Sequence, residues 1–137
     1  MCGIIGIVSN KSVSTNIINS LKKLEYRGYD SAGLATISDG KINEKKCPGR
    51  VEKLEKILFQ TPSRGNLGIG HVRWATHGKP SSVNAHPHSS DKVSVVHNGI
   101  IENSTILKKV LEKKGYKFKS QTAVSYTHLT LPTILRV

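Results

Sequence analysis

The sequence is short of several things, and each shortage removes a class of protein. It has two cysteines, Cys2 and Cys47, too few for the disulfide framework of a small secreted domain. A reducing compartment, the cytoplasm, suits such a chain. No apolar run approaches the roughly 20 residues needed to cross a bilayer. The N-terminus also lacks the basic segment, apolar stretch and cleavage site of a secretory signal, so neither a membrane partner nor export is expected. Acidic residues are scarce, 9 against 21 Lys and Arg, leaving a formal charge of +12. That excess admits a small basic nucleic-acid-binding protein as an alternative reading. However, Lys22-Lys23, Lys45-Lys46, Lys108-Lys109 and Lys113-Lys114 are dispersed, and no aromatic-studded basic strand accompanies them. A solvated basic surface, with no nucleic-acid partner, is the simpler expectation.

What is present is the composition of a globular domain: 137 residues, 36% hydrophobic, with 12 Gly and 5 Pro. This length holds one domain or a piece of one. The β-branched run from Gly3 to Val8 predicts a strand buried on both faces. Ile17, Ile18, Leu21 and Leu24 fall at helical spacing and predict a helix over 14–25, stopped by Gly28. Residues 31–38 and 41–46 read as a hairpin around Asp39-Gly40. A second helix carries Val51, Leu54, Ile57 and Leu58. The stretch from His71 to His77 reads as strand and then loop, and 78–91 as an extended surface loop. A short strand over 92–97 meets a turn at Asn98-Gly99, where positive φ is cheap. A third helix over 102–114 places Ile106, Leu107, Val110 and Leu111 on one face, and 116–120 reads as a further strand. Strands and helices mixed without strict alternation predict an α+β fold of antiparallel sheets flanked by helices.

The residue with the most chemical scope is Cys2. Removing Met1 would leave a thiol and a free α-amine on one residue, so that the amine serves as general base for the thiol nucleophile. Alone, a second-position Cys is more often merely a small residue. The histidines, His86-Pro-His88 above all, raise a metal site, but the loop spacing and the lack of a paired Cys-x-x-Cys argue against zinc. Cys47, before Pro48-Gly49, reads as a turn residue with a bystander thiol.

Five segments in register carry a resemblance. Met1-Cys-Gly-Ile-Ile-Gly6, the stretch from Leu24 to Ala35, the stretch from Gly70 to Pro80, Asn84-Ala-His-Pro-His88 and His97-Asn-Gly-Ile-Ile-Glu-Asn103 resemble the glutaminase domain of the glutamine–fructose-6-phosphate aminotransferases, within the class II glutamine amidotransferases. The resemblance covers roughly residues 1 to 122, and the glutaminase domain of another class II amidotransferase is the alternative it leaves. It implies an N-terminal-nucleophile hydrolase fold, a four-layer αββα sandwich that would be incomplete here. It also implies that Cys2 attacks the glutamine side-chain amide to give a thioester, with the Asn98 side chain and the Gly99 backbone N–H as oxyanion donors. Arg73 would hold the substrate α-carboxylate, a task suited to a planar two-pronged guanidinium. Thr76 and His77 would add polar contacts, and Trp74 would lie in a loop that closes over the ligand. The implied ligand is glutamine, with no cofactor and no metal. Fructose 6-phosphate would be reached only through an isomerase half that this chain lacks, in a parent that is a homo-oligomer.

Beyond Thr122 the resemblance stops. The family has an aspartate for the glutamine α-amino group where this chain has Ala123, and residues 123–137 match nothing in it. Losing that partner would cost on the order of 2–5 kcal/mol of binding, so the fragment is expected to be inactive alone. We expect the tail to be foreign, from a frameshift or read-through. Resequencing the locus tests this, and an intact reading frame ending at Val137 would overturn it.

Overall fold

The computed structural model describes residues 1–75, 78–99, 101–118 and 120. Its centre is a four-stranded antiparallel sheet in the order β1-β4-β2-β3, with β1 at Gly3–Val8, β2 at Ser31–Ser38, β3 at Lys41–Pro48 and β4 at Leu67–Arg73. A two-stranded ribbon, β5 at His88–Ser89 and β6 at Ser94–Val95, is separate from it. The helices are α1 at Ser14–Leu24, α2 at Val51–Gln60 and α3 at Ser104–Lys113. Among the described residues no helix is long and apolar enough to cross a membrane.

The alternation of side chains along the strands gives the sheet two different faces. One takes Ile5 and Ile7 of β1, Val72 of β4, Ala32 and Leu34 of β2 and Cys47 of β3. These pack with Val13, Ile17, Ile18 and Leu21 around α1 and with Val51 and Leu54 of α2. Burial also pushes the Cys47 thiol above its ordinary pKa. Gly68 and Gly70 lie on this face of β4, and a Cβ at either would meet Ile17 at 2.7 and 2.5 Å. Helix α1 therefore rests almost on backbone. Its end is fixed by the Val13 N–H to the Gly65 carbonyl, 2.9 Å, and by the Ser14 hydroxyl to the Ser63 carbonyl. Lys22 and Lys23 in its last turn complement the helix dipole. Helix α2 has no cap of its own. Glu25, in a 3-10 turn after α1, accepts the Val51 N–H at 2.7 Å and supplies negative charge at that N-terminus.

The hairpin forms as expected, with Asp39 and Gly40 both at positive φ, 53° and 71°, as a two-residue turn between right-twisted strands requires. Other expectations are corrected. Strand β1 is well buried on one face only: on the side away from α1 Ile4 is 41% and Val8 78% exposed. The segment 78–91 is at the surface only in part, with 84–88 buried. Ala85 is fully buried and Asn84, His86 and His88 nearly so, because this stretch folds onto the face of the sheet opposite the helices. There Gly33 of β2 comes so close to the His86 carbonyl that a Cβ would overlap it. Only Ser94–Val95 of the expected strand over 92–97 is paired. At Asn98-Gly99, Gly99 does take a positive φ, 158°, on the stretch between β6 and α3. On α3 only Leu111 is buried, while Ile106 is 66% exposed. The described residues of 116–120 form no strand.

The described residues thus show an α+β fold whose four-stranded sheet carries α1 and α2 on one face and a largely irregular segment on the other, beside a two-stranded ribbon. Truncating Leu21, which is fully buried against the sheet, should cost about 2–5 kcal/mol, as large-to-small core changes do. Phe59→Ser, at a side chain 89% exposed, should change stability by less than about 0.5 kcal/mol. Urea unfolding midpoints of the two variants check this, and equal losses would contradict the packing described.

Candidate active site

Strand β4 ends at the site. Gly3 pairs with Val72 and Ser31 with Arg73, so the start of β1 and the start of β2 meet the end of β4. Cys2 lies one residue before that ladder. Its Sγ accepts the Trp74 backbone N–H at 3.3 Å and lies 3.7 Å from the Trp74 carbonyl. The thiol is partly exposed, with polar backbone on one side and access from the other.

This contact exists because of Gly28. A Cβ there would sit 2.6–2.8 Å from the Arg73 carbonyl group and the Trp74 nitrogen, a backbone approach open only to glycine. The 3-10 turn ending at Gly28 also carries Arg27, whose Nε donates to the Cys2 carbonyl at 3.0 Å. The Arg27 Nη2 is 3.9 Å from the Met1 sulfur. Asp30 N–H donates to the Arg73 carbonyl at 3.2 Å, closing the β2 side of the junction.

Arg73 is buried and, among its contacts, donates from Nη2 to the Gly78 carbonyl at 3.2 Å. Trp74 is not a core residue. Its ring is 49% exposed and meets Tyr29 edge-on at 5.9 Å, while the Arg50 guanidinium covers Tyr29 at 5.1 Å. Asn98 is exposed, yet its Oδ1 is 2.8 Å from Nε2 of His71, which is 1% exposed at the centre of β4. His71 stacks on His86 at 4.4 Å between ring centroids, and His86 in turn meets His88 at 4.8 Å. The His97 N–H donates to Nδ1 of His86 at 3.3 Å. Thr76 and His77 lie outside the described residues, as does Ala123.

Of the residues expected in a site, the structure therefore brings Cys2, Arg73 and Trp74 to one strand junction. It ties Asn98 to β4 two residues before Arg73, with Gly99 next to it. The resemblance implies that the stretch from Arg27 to Ser31 lies near the site but gives it no step; the structure adds that Arg27 holds the Cys2 carbonyl and Gly28 is the spacer, and His71 and His86 as anchors were missed. The histidine spacing did attract attention, but as metal ligands. Among the described residues no group of three or more His, Cys, Asp or Glu is placed to hold a metal ion.

Comparison with known proteins bears on what this junction is. No protein-family profile matches the chain. A glutamine–fructose-6-phosphate aminotransferase (isomerizing) of Clostridium acetobutylicum is 58% identical over 124 residues, 89% of this chain, and that of Mesorhizobium japonicum is 54% identical over 122. The chain is a homologue of the glutamine–fructose-6-phosphate aminotransferases. It spans about a fifth, 20%, of the length of these curated relatives. Among solved structures, the glutamine phosphoribosylpyrophosphate amidotransferase from B. subtilis superposes with a TM-score of 0.73 at 29% identity, over 90% of this chain and 28% of that one. A structure described as the allosteric regulatory enzyme of purine biosynthesis gives 0.82 at 26% identity, over 100% of this chain and 30% of that one. The α+β fold described here thus matches part of these larger enzymes.

The buried histidines make the site sensitive to acid. Burial pushes the His71 imidazole down to about 4, against the Asn98 side chain and the His97 backbone, which favour its charged form. Burial pushes His86 lower still, with help from the neighbouring His71 and His88. In the unfolded chain both rings would take up protons near 6.5. Between about pH 6.5 and 4 the unfolded state binds more protons than the folded one, so stability falls as pH falls through this window. From His71 alone the loss should be on the order of 2–4 kcal/mol. Urea midpoints measured across that range check it. A flat profile, or His71 and His86 ring resonances that titrate near 6.5 in the folded chain, would contradict it.

Proposed function

We propose that the chain is the glutaminase part of an enzyme that hydrolyses glutamine through Cys2. In the complete protein the ammonia would pass to fructose 6-phosphate to make glucosamine 6-phosphate. The observation that carries this reading is the Cys2 thiol on the Arg73–Trp74 backbone, 3.3 Å from the Trp74 nitrogen, in a chain 58% identical to such an aminotransferase. Once Met1 is removed, the new α-amine takes the thiol proton and Sγ attacks the amide carbon. The carbonyl oxygen becomes an oxyanion facing Asn98 and Gly99. Collapse of that intermediate breaks the C–N bond, and the amine returns the proton to the departing nitrogen, which leaves as ammonia. Water then cleaves the thioester, giving glutamate and the free thiol.

Arg73 is assigned to the glutamine α-carboxylate, with Thr76 and His77 as further contacts and Trp74 as part of the cover. Arg27 fixes the Cys2 carbonyl, so that the terminal residue has one orientation before substrate arrives. Residues 1–122 are assigned to the glutaminase domain and 123–137 to a segment outside it. A working thiol at Cys2 suits a reducing cytoplasm.

In a protein that continues this chain with the family's sequence after Thr122, glutamine hydrolysis should fall by at least about 10³-fold in Cys2→Ala or Cys2→Ser, as loss of a covalent nucleophile does. The 137-residue chain itself should show little or no turnover, because Ala123 leaves the substrate ammonium without its carboxylate. Ammonia release followed by a coupled assay checks both. Full activity in the Cys2 variants would remove the nucleophile assignment, and robust turnover by the purified chain would show that the missing parts are dispensable.

A further inference from the structure

Asn98 is an exposed residue on an irregular stretch between β6 and α3. A side chain in that setting has several rotamers open to it, and an oxyanion donor that wanders contributes little, because its value lies in being aimed before the charge develops. The structure shows what removes this freedom. The Asn98 Oδ1 lies 2.8 Å from Nε2 of His71, a ring 1% exposed on a central strand of the sheet. One residue earlier, the His97 backbone N–H is held at 3.3 Å by Nδ1 of His86. The two anchoring rings are themselves stacked, 4.4 Å between centroids with planes 27° apart. The His86 backbone carbonyl is seated on Gly33, at a distance that no side chain would permit. The segment that bears Asn98 is therefore fastened twice to the same face of the sheet, once through its backbone and once through the side chain itself.

The direction of the hydrogen bond matters. If Nε2–H of His71 donates to Oδ1, both hydrogens on the Asn98 amide nitrogen remain available to a ligand. If the ring nitrogen instead accepted, it would engage that amide nitrogen. A neutral imidazole with its proton on Nε2 satisfies this requirement, and deep burial favours the neutral ring.

We propose that His71, braced by His86, is a positioning residue that turns the Asn98 amide nitrogen toward the Cys2 reaction centre. The proposal rests on the glutaminase reading for the role of Asn98, and goes beyond it in assigning the orientation of that donor to a buried histidine pair. His71 does not touch the substrate. It acts through Asn98, so its loss should be mimicked by loss of Asn98 and should not add to it.

The test is run on the full 137-residue chain with Met1 removed. Cys2 is labelled either by a diazoketone analogue of glutamine, whose addition creates an oxyanion, or by iodoacetamide, which creates none. The ratio of the two rates isolates the donor. Asn98→Ala should lower the ratio by about 10²-fold, the usual effect of removing one oxyanion donor, and His71→Phe by about tenfold, since the donor is kept but loses its aim. The double variant should be no slower than Asn98→Ala alone, and His71→Gln, which restores an N–H, should recover most of the loss.

An unchanged ratio in His71→Phe with a lowered ratio in Asn98→Ala would overturn the proposal and leave the glutaminase reading intact. An unchanged ratio in both would remove Asn98 from the oxyanion role, and the proposal with it. Additive losses would mean that His71 is merely structural. The same samples labelled with ¹⁵N give a direct reading should diazoketone labelling be immeasurably slow. The Asn98 side-chain amide should show one well-dispersed pair of resonances in the wild-type chain and a pair averaged toward random-coil positions in His71→Phe. An unaltered amide signal would overturn the proposal.

Discussion

The structure depends on the two-sidedness of β4. Period-two alternation assigns Gly68, Gly70 and Val72 to one face and Ile69, His71 and Arg73 to the other, and the two sets have opposite duties. On the first face the missing side chains let α1 approach until Ile17 lies against the strand backbone. The second face carries a buried imidazole and a buried guanidinium, and its end delivers the Trp74 N–H to the Cys2 thiol. A register slip of one residue would exchange these faces, putting His71 against Ile17 and the glycines beneath the site. The pairing of β4 with both β1 and β2 over the whole of its length is what prevents that slip.

From this follows the way core and site are linked. Helices α1 and α2 pack on the face of the sheet opposite His71 and Arg73 and fix the plane on which those residues stand. Residue Glu25 is an example: at the end of α1 it caps α2 through Val51, and two residues later Arg27 reaches the Cys2 carbonyl. A single 3-10 turn thereby transmits the packing of both helices to the start of β1. On the far side Glu44 of β3 accepts the Ser89 hydroxyl at 2.5 Å, so the ribbon that precedes Asn98 is tied to the same sheet.

What could be read in advance divides along the range of the interactions. Helices α1 and α2 and the hairpin at Asp39-Gly40 were legible because their signals are local: apolar residues at helical spacing, and a turn dipeptide between alternating runs. The segment 78–91 was not, because its small polar residues look like surface until Gly33, far back in the chain, is found beneath His86. Strand β1 was legible as a strand but not as half-exposed, since a β-branched run says nothing about whether its second face is covered. For the site, motif resemblance singled out Cys2, Arg73, Trp74, Asn98 and Gly99. The geometry adds the contacts of Arg27, 25 residues from Cys2, and of His71, 27 residues from Asn98. Neither partner leaves a periodic or dipeptide trace. The histidines were weighed as metal ligands and set aside, and no other role was found for His71 and His86, because spacing on a loop does not show which way the rings turn.

Gly28 and Gly33 carry no functional group, and yet each is pressed against the backbone of the segment that holds a functional side chain. To a geneticist scanning every substitution along this chain, these two positions would rank with the nucleophile itself. The map of intolerance would therefore not be a map of chemistry. Part of it would record where one stretch of main chain lies flat against another, and a designer wishing to transplant the thiol would have to carry over those empty positions as faithfully as the reactive ones.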